Sequence, residues 1–179
     1  NCLTRQYDDL LKAASADYFV DQTWSKADPR LISDRLSYRP LAWNWHFPLR
    51  TDYERRQALI EIDVLTAQAL GLTLDDLKTI YRLQFYVLNQ NEANTWYDQR
   101  GRIIYTVSRG LFDFSFCKKD WEEIKNKTSG TVERTMIDQS RPEGPLERTL
   151  EYLAPFDRPD RELDYELAWT YFEKKFGQK

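Results

Sequence analysis

The segment RTDYERRQALIEIDVLTAQALGLTLDDLKTIYRLQFYVL, residues 50–88, reads as two capped helices meeting at a single glycine. Thr51 and Glu54 have the spacing of a capping box, in which each side chain satisfies a backbone N–H left open at the helix start. Leu59, Ile62, Leu65, Ala69 and Leu70 follow at helical spacing and predict an apolar stripe. Gly71 predicts the stop, because glycine enters the left-handed C-terminal position without strain. Thr73 restarts the chain with Asp75 and Asp76 in the first turn, where the helix dipole favours negative charge. This second helix is expected to reach about Asn91.

Upstream, residues 4–22 predict a helix with Leu10, Leu11, Ala14, Tyr18 and Phe19 on one face. Asp28 and Pro29 predict the start of a short helix running to about Leu36. SYRPLAWNWHFPLR, residues 37–50, reads as an ordered, aromatic loop. Downstream the period changes to two. TWYD, a turn at Gln99-Arg100-Gly101 and RIIYTVS predict a hairpin, with Gly101 supplying a positive φ. LFDFSFCK, residues 111–118, alternates as a half-buried strand does, and residues 120–127 read as a short helix or turn. VERTMID and LERTLEY predict two antiparallel strands with cross-strand charge pairing. Residues 160–176 predict a last amphipathic helix with Leu163, Leu167, Trp169, Tyr171 and Phe172 along its apolar side. Helices, then strands, then a helix give an α+β class: N-terminal helices, a central hairpin-rich antiparallel sheet and a C-terminal helix. The expected division is a helical lead-in with its aromatic loop over residues 1–50 and an α+β unit over 51–179, packed as one body.

A chain of 179 residues can bury about 70% of its unfolded surface, so a core needs no staples. Six Trp, eleven Tyr and nine Phe supply it. Cys2 and Cys117 are far apart and form no metal-binding or redox pair, which fits free thiols in a reducing cytoplasm. No apolar run is long enough to span a bilayer and no signal segment opens the chain. An opening Asn1 suits a domain cut from a longer protein. The formal charge is −3, with a basic excess confined to residues 78–134, which hold ten basic and seven acidic side chains. Strong stand-alone nucleic-acid binders concentrate more positive charge than this.

The helix pair resembles a segment near the C-terminus of large bacterial restriction-modification proteins that carry an adenine-N6 DNA methyltransferase. Glu61, Ile62, Asp63, Leu65, Ala67, Leu70, Gly71, Leu72, Thr73 and Leu77 carry the likeness. It continues through TIYRLQF, TWYDQRGRIIYT, SGTVERTMID, GPLERTLEYLAPFDR and DYELAWTYFE, covering roughly residues 40–175 in order. Tyr86 departs from the pattern, which has a proline there, and residues 111–119 are shorter than its glycine-rich version. The resemblance implies a type IIG-like phage-defence parent with S-adenosylmethionine as its cofactor, and a methyltransferase core as this segment's partner. It also implies duplex DNA as a possible ligand.

The chemistry of such a parent needs a glycine-rich cofactor loop and an Asn/Asp-Pro-Pro-aromatic loop to hold a flipped base. Neither occurs here, so no catalytic residue and no bound cofactor are expected in this chain. Pro159-Asp160 with Glu173-Lys174-Lys175 mimics a nuclease motif, but roughly 20 Å of one helix would separate the acids. His46, the single histidine, sits among Trp43, Trp45 and Phe47 with no nucleophile nearby and reads as a packing residue. Glu61, Asp63, Asp75 and Asp76 read as dipole and surface charges rather than metal ligands. The candidates that remain for DNA contact are Arg100, Arg102, Arg109, Lys118, Lys119, Lys125 and Lys127. Trp96, Tyr97 and Tyr105 are the candidates for stacking. The alternative is that the rings are core and the cations ordinary surface, in a scaffold that touches no DNA.

Overall fold

The structure is a computed structural model that describes residues 4–14, 23–31, 43, 45, 48–108, 115–139 and 142–177. Its class is α+β. After a 3-10 turn at Arg5–Tyr7 come α1 (Asp8–Ala14), α2 (Asp52–Ala69), α3 (Leu74–Gln84) and α4 (Tyr86–Glu92). Then follow β1 (Trp96–Tyr97), β2 (Ile103–Tyr105), α5 (Lys118–Ile124), β3 (Thr131–Asp138), β4 (Leu146–Leu153) and α6 (Arg161–Phe176). The strands form two separate antiparallel ribbons, β1–β2 and β3–β4. An isolated bridge joins Tyr97 to Asp157 beyond β4.

Both expected capping boxes are present. Thr51 accepts from the Glu54 N–H at 3.1 Å and Thr73 from the Asp76 N–H at 3.1 Å, and each acid reaches back to its cap. Gly71 takes φ +72, the left-handed stop. The second helix does not run through: it breaks at Phe85, with φ −106 and ψ 40. Tyr86 then occupies the first position of α4, a place where a proline is well tolerated.

The apolar stripes sit differently from their expected positions. In α2 the buried side chains are Tyr53, Glu54, Arg56, Gln57, Ile60, Glu61, Val64 and Ala67, whereas Leu59, Ile62, Leu65 and Leu70 are exposed. In α6 the buried face is Arg161, Asp164, Tyr165, Ala168 and Phe172, while Leu163 and Leu167 are exposed. Ion pairs share these inward faces. Arg56 Nη1 donates to Asp164 Oδ2 at 2.6 Å, and Arg161 donates to Glu92 at 2.5 Å and to Asp63 at 2.8 Å. Burial disfavours both charged guanidiniums, but Glu92 acting with Asp164 on Arg56, and with Tyr165 and Asp63 on Arg161, outweighs it. The inward face therefore mixes these charges with Ile60, Val64 and Ala67 of α2 and Tyr165, Ala168 and Phe172 of α6, and the leucines outside that stripe face out.

The upstream expectations are met only in part. α1 ends at Ala14, and residues 15–22 lie outside the described residues. Asp28 makes a tight turn rather than a demonstrated helix cap: its Oδ1 accepts from the Arg30 N–H at 3.0 Å, and residues 32–36 lie outside the described residues. Residues 23–31 clasp the helices and the chain beyond β4. The Ser25 hydroxyl donates to Glu61 at 2.7 Å, Lys26 pairs with Asp164 at 2.8 Å, and Arg30 pairs with Asp157. No helix among the described residues is long and apolar enough to cross a membrane.

Candidate nucleic-acid interface

The β1–β2 turn is built around Asp98, which is fully buried. Its Oδ1 accepts from the N–H groups of Arg100 and Arg102 at 3.0 and 2.8 Å, and its Oδ2 from the Leu153 N–H at 3.2 Å. Gly101, at φ +77, is needed twice over: a side chain there would meet Thr51 and Tyr53 at 3.1 Å. This anchoring fixes the backbone from which Arg100 and Arg102 project, both exposed. Arg100 reaches the Glu151 carboxylate at 3.6 Å, and Arg102 Nη1 donates to the Glu151 carbonyl at 3.2 Å.

Register decides what the long ribbon presents. Thr135 faces Thr149, so the two ERT triplets are not in charge-paired alignment. Glu133 opposes Glu151 and Arg134 opposes Leu150, so no charges pair directly opposite; the expected cross-strand pairing occurs once among the described residues, diagonally, between Arg148 of β4 and Asp138 of β3. Side chains alternate across a strand. One face thus holds Glu133, Glu147 and Glu151, and the other holds Arg134 and Arg148 beside Val132 and Tyr152. Arg148 pairs with Asp138 at 2.9 Å.

On the arginine side a cleft of about 370 Å³ opens between β2, the start of α5 and β3. Tyr105, Thr106, Phe116, Cys117, Lys118 and Arg134 line it. The Arg134 guanidinium lies 5.4 Å from the centre of the Phe116 ring. Tyr105 stacks on Trp121 at 5.2 Å with planes 7° apart, which fixes one wall of the cleft. Cys117 caps α5, its Sγ accepting from the Asp120 N–H at 3.5 Å. Residues 115–117 are therefore not strand, and the rest of the expected strand, 111–114, lies outside the described residues. Lys118 and Lys119 occupy the first turn of α5, where the dipole opposes positive charge. Helix stability does not account for two lysines there.

The structure thus gathers Tyr105 and Lys118 with Arg134, with Lys119 next to Lys118 in the chain. Arg100 associates with the glutamate face of the ribbon, away from that cleft. Lys125 pairs with Glu122 at 2.5 Å, and Lys127 is exposed just past α5, both where the dipole favours cations. Arg109 and His46 lie outside the described residues. Of the three rings, Tyr97 is only 5% exposed and packs edge-on against Tyr53 at 5.4 Å, leaving no face for a base. Trp96 is half-buried against Trp121 at 5.3 Å. Tyr105 keeps one side toward the cleft.

Arg134 was not among the candidates read from sequence. Its alternation with Val132, a core residue, is the signal that places it on the cleft side rather than with Glu133. The mimicked nuclease motif dissolves: Asp160 caps α6 by accepting from the Glu162 and Leu163 N–H groups, and Glu173 lies three turns further along that helix. Among the described residues no group of three or more His, Cys, Asp or Glu side chains could hold a metal ion. No protein-family model, no curated protein and no solved structure matches the chain.

Proposed function

We propose that this chain is a non-catalytic C-terminal domain of a restriction-modification DNA adenine-N6 methyltransferase, packing on the catalytic core and assisting its hold on duplex DNA. S-adenosylmethionine binding and methyl transfer belong to the core, as does any nuclease. The ordered sequence resemblance over roughly residues 40–175 supplies the family. The observation that supports a DNA role is the cleft that Lys118 and Arg134 both line, together with Tyr105, Val107 and Phe116. Two cations and a ring edge suit phosphate and sugar contact, which positions a protein on DNA without reading sequence.

A second reading, a scaffold in the same defence protein, is favoured by the burial of Tyr97 and by the three glutamates on the other ribbon face. Fluorescence anisotropy with a labelled duplex at low salt separates the two. The DNA reading expects weak binding that falls at least tenfold in Lys118→Ala/Arg134→Ala, with a smaller loss in Arg100→Ala/Arg102→Ala. Absence of binding at about 100 μM protein, the weak end of typical non-specific affinities, selects the scaffold.

A further inference from the structure

Two of the leucines that α2 turns outward, Leu59 and Leu70, border with α3 and α4 a groove of about 370 Å³. Leu59 and Leu70 form one lip, Phe85 and Leu88 the other, and Arg161 and Tyr165 of α6 lie at the floor. Beside the groove, α3 and α4 carry Leu83 and Val87, which are not part of its lining and are 71% and 68% exposed. A groove and an apolar ridge therefore stand side by side on one face.

We infer that this face joins two copies of the chain about a twofold axis, each α3–α4 ridge seated in the other's groove. Three observations point to a second copy as the occupant. The six lip and ridge residues, 38–71% exposed, together expose on the order of 600 Å², the upper end of the ~300–600 Å² typical of a monomer's largest apolar patch. That is most of the ~800 Å² each partner gives to a stable interface. An isologous contact requires knob and hole on the same surface, since each copy supplies both. Finally, the face offers little charge for an unlike partner to recognise. Lys78 and Arg82 turn away to Glu166 and Glu162 of α6. The acid in the groove, Asp63, already accepts from Arg161 and Tyr165 at 2.8 Å. Two such faces meet without net repulsion.

This pairing is independent of the DNA reading and is tested without DNA. Sedimentation velocity of the 179-residue chain from 1 to 200 μM should show a species of twice 21.4 kDa that dissociates on dilution. Val87→Glu, changing a side chain that its own chain leaves in solvent, should weaken the pair at least 100-fold. Ile137→Glu on the ribbon, equally exposed, should leave it unchanged. A monomer throughout the range, an open-ended series of larger species, or a Val87→Glu dimer of undiminished affinity would each overturn the inference. Far-ultraviolet circular dichroism of both variants confirms that they fold.

Discussion

Where α2 meets α6, ion pairs are buried alongside apolar side chains; around Trp121 the buried contact is made of rings. In the first region Arg56, Asp164, Arg161, Asp63 and Glu92 interlock, with Lys26 entering from the chain before α2. In the second, Trp96, Tyr105 and Phe156 surround Trp121 with centroids 5.2–5.8 Å away, and Val132 and Tyr152 close the core. The two differ in what they demand of neighbours. A buried charge must keep its partners and so fixes which helix faces meet, whereas rings accept several arrangements of similar energy. The α2 face opposite the seam carries Leu59 and Leu70, one lip of the groove. The aromatic core holds the cationic cleft open on its flank.

The largest expected effect is on the seam. Asp164→Ala leaves Arg56 with only Glu92 at 3.6 Å and Lys26 with only the Tyr53 hydroxyl, and should cost about 3–5 kcal/mol in urea unfolding. If charge pairing fixes the helix faces rather than adding net stability, Arg56→Met/Asp164→Leu should recover most of that loss. A double variant worse than the single one would break the contrast. In the aromatic region Trp121→Phe keeps a ring and removes volume, so a loss of about 1–2 kcal/mol is expected in the same assay. A loss equal to that of Asp164→Ala would show the rings to be as exacting as the charges.

The smallest effect is a titration. Burial raises the Asp28 carboxyl pKa, but hydrogen bonds from the Arg30 side chain and N–H and from the Tyr53 hydroxyl outweigh it and bring it to about 2. A folded pKa below the unfolded value means the carboxylate adds stability above about pH 4. That contribution is lost as pH falls toward 2. Asp28→Asn should therefore flatten the acid limb of the stability curve measured by thermal unfolding between pH 5 and 2. An unchanged acid limb would remove Asp28 from the clasp over residues 23–31.

Much of the fold is legible in the chain because it is set locally. The two capping boxes, Gly71 and Gly101 follow from side-chain chemistry within four residues. The inward faces of α2 and α6 do not, since Arg56, Asp63 and Glu92 find their partners on distant elements. Hydrophobic periodicity reads apolar residues alone and so selects the leucine face. The candidate site was legible by half: Tyr105 and Lys118 were named from composition. Arg134 needed the β3–β4 register, which sequence self-similarity places wrongly because the two ERT triplets do not align.

The proposed DNA role of the arginine cleft is tested most directly by the salt dependence of duplex affinity. Lys118, Lys119 and Arg134 acting on phosphates predict a log–log slope of about −2 to −3, each lost contact making it about 0.9 shallower. Lys118→Ala should lower the slope by one such step, while Lys127→Ala, off the cleft, should leave it alone. Equal slopes in Lys118→Ala and the unaltered chain, or no affinity even at 20 mM salt, would contradict it.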